Sequence, residues 1–207
     1  MMTNASPFGR RKKSTGQMDF KVVITGIRGV GKTAITVRYL TKRFIGEYGQ
    51  ETECRYHHQA KIDNDLVSLE ILDIGPENSV TEELIAWADA FLLVYSITDP
   101  QSMRALHELR PKLDEARSMK TTPLAFMVLG NKSDLMHARK VSTKEGEKFA
   151  KDLGCSYLEI SAADSYQQIV DLLHELYREA KMYKFGTKSS LLGRVFGHSR
   201  EKKTMTL

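Results

Sequence analysis

The chain has 207 residues, 41% of them apolar and 28% charged, a balance that fits one globular domain with appendages, leaves barely room for a second full domain and excludes wholesale disorder. Its longest uninterrupted apolar runs, residues 90–95 and 124–129, stop at six residues, whereas a membrane-spanning helix needs about 20. The net charge of +5 sits at the ends: residues 1–20 hold four basic side chains against Asp19, residues 181–207 hold seven against Glu201, and 20 basic side chains face 24 acidic ones between them.

A mildly acidic body with basic flanks gives no expectation of nucleic-acid binding. It divides the chain into a flexible basic N-terminal extension (1–19), a folded domain (20–181) and a basic C-terminal tail (182–207). Arg10-Arg11-Lys12-Lys13 is not followed by an apolar run, so it does not open a secretory signal, and a cytoplasmic protein is expected. Two cysteines, Cys54 and Cys155, are too few for a disulfide framework and read as reduced thiols of the core.

Residues 20–25 are a short β-prone run that ends at Gly26, and residues 33–42 follow with helix-compatible side chains and no Pro or Gly, which predicts strand, glycine loop and helix. Residues 56–62 and 66–73 flank the turn cluster Asp63-Asn64-Asp65 and predict an antiparallel hairpin. His57 and His58 are adjacent in it, so they point to opposite faces and do not share a metal. Trp87, with Leu84 and Ile85, reads as core. Residues 90–97 are a buried-type strand, after which Asp99 and Pro100 supply an N-cap and first-turn proline for a helix with Met103, Leu106 and Leu109 on one face. Pro111 is expected to kink or break that helix.

Residues 124–129 form the next strand, and Ser142 with Glu145 makes a capping box for a helix that ends near Gly154. Residues 155–160 are the last strand. Ile169, Leu172, Leu173, Leu176, Tyr177 and Ala180 recur at three- and four-residue steps, the mark of a final amphipathic helix. The alternation predicts an α/β fold: a mostly parallel six-stranded sheet with one antiparallel edge hairpin, helices on both faces and the ligand at the carboxyl ends of the strands.

Gly26-Ile27-Arg28-Gly29-Val30-Gly31-Lys32-Thr33 fits the phosphate-binding loop G-x-x-x-x-G-K-[ST] between strand and helix, and Ala34 continues into the first turn. Backbone N–H groups of the loop and helix start supply positive potential for phosphates. Lys32 adds a charge near the β and γ phosphates, and the Thr33 hydroxyl is placed for Mg²⁺. Asn131-Lys132-Ser133-Asp134 follows a strand; a carboxylate at Asp134 accepts from guanine's ring N–H and exocyclic amine, and adenine would leave it unpaired. Ser161-Ala162-Ala163 offers a backbone N–H for the guanine carbonyl. On its own, that tripeptide is also an ordinary strand-to-helix turn.

Over residues 20–181 this order of motifs resembles the Ras-like small GTPases, P-loop proteins with a G domain. The stretches Leu40-Thr-Lys-Arg-Phe-Ile-Gly-Glu-Tyr48 and Val141-Ser-Thr-Lys-Glu-Gly-Glu-Lys-Phe149 resemble the branch called Ras-related and estrogen-regulated growth inhibitor. The resemblance implies a monomeric GDP/GTP switch with effector and regulator partners, in which Phe44 borders the base and Asp73 holds Mg²⁺ through water.

The match fails at the γ-phosphate. Where the family keeps a first-switch threonine this chain has Glu51, with Thr52 one residue late, and the usual Asp-x-x-Gly-Gln reads Asp73-Ile74-Gly75-Pro76-Glu77. In direct register Pro76 supplies no N–H and Glu77 stands for the water-orienting glutamine; shifted by one, Gly75 recovers the contact and Pro76 displaces the glutamine. Arg28 stands where the family mostly has glycine, and either crowds the attacking water or acts as an arginine finger in cis. Crowding is favoured, because a finger also needs an oriented water. Slow GTP hydrolysis is therefore expected, and the alternative is a pseudo-GTPase scaffold that holds nucleotide without cycling. An ATPase or kinase is disfavoured by Asp134. The last four residues, 204–207, lack cysteine and Met1-Met2 lacks the myristoylation glycine, so no lipid anchor is expected. Leu191, Leu192, Val195 and Phe196 share a helical face in the basic tail, which reads first as a disordered basic tail and second as a membrane or calmodulin-type segment; weak electrostatic membrane contact and nuclear association stay open.

Overall fold

A computed structural model describes residues 17–46, 53–74 and 80–185. Tyr48, Glu51, Thr52, Gly75, Pro76 and Glu77 lie outside these residues, as do the basic segments 1–16 and 186–207. The elements are β1 (Gln17–Thr25), α1 (Lys32–Thr41), β2 (Glu53–Ile62), β3 (Asp65–Ile74), α2 (Glu82–Trp87), β4 (Ala90–Ser96), α3 (Pro100–Met119), β5 (Ala125–Asn131), α4 (Thr143–Leu153), β6 (Ser156–Glu159) and α5 (Tyr166–Phe185), with a 3-10 turn at Ser133–Ala138. Among the described residues no helix is long and apolar enough to cross a membrane.

Six strands make one sheet in the order β2-β3-β1-β4-β5-β6. Only the β2–β3 pair is antiparallel, with His57 opposite Glu70, and β1 lies parallel to both β3 and β4. The hairpin turns on Asp63-Asn64, with Asp63 at φ 54, a left-handed conformation that aspartate tolerates better than most residues. His58 faces Tyr39 of α1, ring centroids 5.5 Å apart, while His57 lies 3.9 Å from Glu70, so the two histidines do take opposite faces.

Alternate side chains of each strand feed two separate cores. Phe20, Val22 and Ile24 of β1 join Leu92 of β4 and Met127 of β5 beneath α1 and α5. Val23 joins Phe91, Leu93 and Val128 on the other face beneath α2, α3 and α4. All six apolar positions expected on the inner face of α5 are buried. Ser142 caps α4 by accepting from the Glu145 N–H at 3.2 Å, and Gly154 ends that helix at φ 67.

Two expectations change. Pro111 does not break α3, which continues to Met119. The proline is exposed, so the carbonyl it leaves without a partner is on the solvent side, while Leu113 and Ala116 beyond it are fully buried and hold the second half on the sheet. Trp87 is half-buried: Ile85 enters the core, and Leu84 and Trp87 pack against its edge. The Trp87 ring lies between the Lys21 ammonium at 5.5 Å and the Arg55 guanidinium at 5.2 Å, a cation–π clamp.

Candidate nucleotide-binding site

The parallel strands deliver the loops after β1, β3, β5 and β6 to the same end of the sheet. The P-loop leaves β1 at Gly26 and enters α1, whose first i to i−4 hydrogen bond is Ile35 N–H to Gly31 O at 3.0 Å. The N–H groups of Lys32, Thr33 and Ala34 therefore have no partner within the helix. Arg28 and Gly29 form the exposed lip of the loop, while Val30 and Ala34 are buried beneath it.

Lys32 is only 7% exposed, and its ammonium donates back to the carbonyls of Gly26 at 2.8 Å and Ile27 at 3.2 Å. Burial lowers its pKa, and the charge of Asp73 opposes that shift. At the end of β3 Asp73 is likewise buried and accepts from the Thr33 hydroxyl at 2.5 Å. Burial raises the Asp73 pKa, against the Thr33 hydrogen bond and the Lys32 charge. A buried cation, a hydroxyl and a carboxylate thus meet at the mouth of the loop. Among the described residues no group of three or more His, Cys, Asp or Glu gathers that could hold a metal by itself. Two oxygen donors beside a phosphate loop suit Mg²⁺, which takes one or two protein ligands and completes its shell with phosphate and water.

Asn131, 1% exposed, joins the two halves of the site. Its amide donates to the Val30 carbonyl at 2.7 Å and accepts from the Ala162 N–H at 3.0 Å, so one side chain ties the P-loop to the loop after β6. Gly31 makes room for this: at φ 97, a Cβ there would lie 2.3 Å from the Asn131 amide nitrogen. Lys132 follows in a left-handed conformation, φ 67, and opens the 3-10 turn carrying exposed Asp134. Ser133 N–H reaches the Ile160 carbonyl at 3.2 Å, which holds the Asn131–Asp134 segment against the end of β6.

Ser161 and Ala162 are buried and Ala163 is exposed. The Ala163 N–H donates to Ser161 Oγ at 3.1 Å, so the N–H groups of Ala162 and Ala163 are each already engaged, and a base carbonyl would share one of them. Phe44 is exposed on the loop after α1. The structure thus gathers Gly26 through Ala34, Asp73, Asn131 through Asp134 and Ser161 through Ala163 at one rim. Sequence reading missed Arg38, whose guanidinium donates to the Asp164 carbonyl at 3.0 Å. Its partner is 126 residues away and is a backbone atom, so no spacing pattern announces it.

Residues 21–182 match the Ras family. Over 165 residues the chain is 45% identical to the Ras-related and estrogen-regulated growth inhibitor of Homo sapiens, covering 79% of this chain and 82% of that protein. It is 36% identical over 179 residues to Ras-like protein family member 11A of Mus musculus, covering 81% and 73%. It is 35% identical over 175 residues to Ras-like protein family member 11B of Homo sapiens, covering 80% and 70%. With the P-loop, Asp73 and the Asn131–Asp134 segment converging on one end of the expected sheet, the chain belongs to the Ras family of small GTPases.

Proposed function

We propose that this protein binds GDP and GTP with Mg²⁺ and works as a Ras-like signalling switch whose intrinsic hydrolysis is at or below the slow unassisted rate of its family. One observation carries the binding half of this reading: buried Lys32 and the Thr33–Asp73 pair lie at the mouth of the P-loop, and Asn131 locks that loop to the Ser161–Ala163 loop. Thr33 and Asp73 are the residues that would hold the metal, which when bound offsets the negative charge of the phosphates. Lys32 leaves its two carbonyls to meet phosphate oxygens, and Asp134 accepts from the guanine edge.

The hydrolysis half rests on sequence. In direct register Glu51, Pro76 and Glu77 replace the groups that meet a third phosphate, and exposed Arg28 crowds the place of the attacking water. Losing one positioned donor or water-orienting group costs about 10²–10³ in rate, and such losses do not simply add. With fewer contacts to the third phosphate, GTP and GDP are poorly distinguished, and a switch responds only to differential binding. Effector and regulator proteins are the expected partners, in a monomer of the cytoplasm. Contact with anionic membrane is electrostatic and screened by salt.

Three measurements test this. Protein denatured after gentle purification should release guanine nucleotide; adenine nucleotide, or none, would count against the reading. A single turnover of GTP-loaded protein should run no faster than an ordinary unassisted Ras-like protein, and a much faster turnover abolished by Arg28→Gly would make Arg28 a finger in cis. No turnover at all would select the non-cycling scaffold. Asp134→Asn should weaken guanine binding and favour xanthine nucleotides, because an amide donates where the carboxylate only accepted.

A further inference from the structure

Beyond Ile160, the loop between β6 and α5 that presents Ala162 and Ala163 is held by four contacts at Ala162, Ala163 and Asp164 among the described residues. Three come from the loop itself and from β5: Ala162 N–H to Asn131 Oδ1 at 3.0 Å, Ala163 N–H to Ser161 Oγ at 3.1 Å, and Asp164 N–H to the Ser161 carbonyl at 3.2 Å. The fourth comes from α1, where Arg38 donates through its terminal nitrogen to the Asp164 carbonyl at 3.0 Å. Just past the end of α1, the ammonium of the cap residue Lys42 lies 5.8 Å from the Tyr166 ring centroid. The last turn of α1 and its cap residue thus grip the loop end at Asp164 and the first residue of α5.

The Arg38 side chain is held in this place at a cost. Its Nε is buried and makes no hydrogen bond, although an arginine on a helix surface ordinarily keeps that group in water. The inner end of the guanidinium is therefore covered, while the nitrogen that meets the Asp164 carbonyl stays at the surface. Arg38 is also six residues from Lys32 on the same rigid helix, about 9 Å along its axis. One helix thus carries the phosphate-facing residues Lys32 and Thr33 at its start and fixes the base-facing loop near its end.

We propose that Arg38 is a positioning residue for guanine recognition: through Asp164 it sets where the Ala162 and Ala163 N–H groups stand against the base carbonyl. This rests on the guanine-binding reading above. Arg38 touches no nucleotide in this scheme. Its removal frees the Asp164 carbonyl and lets the loop drift, so a carbonyl at the 6-position of the base loses a well-placed donor while the phosphates are held as before.

The test compares GDP with 2-aminopurine riboside diphosphate, which keeps the sugar, the phosphates and the exocyclic amine but has neither the 6-carbonyl nor the ring N–H that Asp134 reads, so the base-loop donors have nothing to meet. Dissociation constants of both would be measured by calorimetry on the full chain, for wild type, Arg38→Ala and Arg38→Lys. The expected result is GDP binding weakened about 5- to 10-fold in Arg38→Ala, partly recovered in Arg38→Lys, with analogue binding changed less than twofold in both. Equal weakening for both ligands would assign Arg38 to helix stability alone and overturn the proposal, as would unchanged GDP binding in Arg38→Ala. If wild type failed to prefer GDP over the analogue, the base-reading assignment itself would fall, and this proposal with it; a wild type that prefers GDP beside an indifferent Arg38→Ala rejects the Arg38 role alone.

Discussion

At Gly146 in α4 a Cβ would stand 2.4 Å from the Tyr95 hydroxyl and 2.5 Å from Tyr157 Cε2. Neither ring is free to swing away. The two hydroxyls are 2.8 Å apart, Tyr157 donates to Glu159 at 2.6 Å, and Arg139 clasps the Glu159 carboxylate with two nitrogens at 2.9 and 2.7 Å. Gly146→Ala should therefore destabilise the domain by about 1–3 kcal/mol, the usual cost of overpacking, even though alanine is the better helix former. Thermal unfolding of the variant checks this, and a raised Tm would contradict it. Cys155 is a second residue governed by its surroundings. Burial pushes its thiol up to about 12, so very little thiolate exists near pH 8 and alkylation of Cys155 should be slow until the protein unfolds. Peptide mapping after brief native labelling measures it.

Among the elements, α3 carries its proline at an unusual place. Pro111 lies mid-helix and exposed, where proline costs up to about 3 kcal/mol relative to alanine, partly offset by a stiffer unfolded chain. Pro111→Ala should raise stability by about 1–2 kcal/mol in denaturant unfolding; a loss would mean the proline sets a bend that the packing of Leu113 and Ala116 needs. The sequence predicts a break there because local propensity is visible and the burial beyond it is not. The six-residue helix α2 went unseen for the opposite reason: it is too short to show a 3.6-residue period. Its signals were a Thr81 cap, which accepts from the Leu84 N–H at 3.3 Å, and Glu82 with Glu83 in the first turn. No pattern foretells Lys120, which reaches back to the Ile85 carbonyl at 3.0 Å and to the Ala88 carbonyl, both at the C-terminal end of α2. What was legible is what is local: the P-loop, the capping box at Ser142 and the alternation of strands. Contacts between a cation and a distant carbonyl, such as Arg38 to Asp164, depend on the finished fold.

For the whole molecule, the hairpin turn and the last helix form one electrostatic seam. Arg178 holds Asp63 with nitrogens at 3.0 and 2.8 Å, and Lys181 and Tyr177 both donate to Asp65. These hydrogen bonds hold both carboxyls below their ordinary 3.8. Because their folded values lie below the unfolded ones, the stability they contribute is complete above about pH 4 and is lost as pH falls through the lowered values. Arg178→Ala should accordingly show a smaller drop in Tm than wild type between about pH 4.5 and 2.5, and parallel curves would remove the seam from the acid response. The same helix also reaches the first strand: the Tyr177 and Phe20 rings lie 5.3 Å apart, and Lys184 pairs with Asp89 at 2.7 Å, just before β4. The first and last described elements are therefore immediate neighbours, and this bears on the order of events during synthesis. Until the ribosome has released α5, the face of β1 that carries Phe20, Val22 and Ile24 has only α1 over it and lacks the rest of its cover. A nascent chain stalled before Tyr166 should expose that apolar surface, engage chaperones and be cleaved by protease.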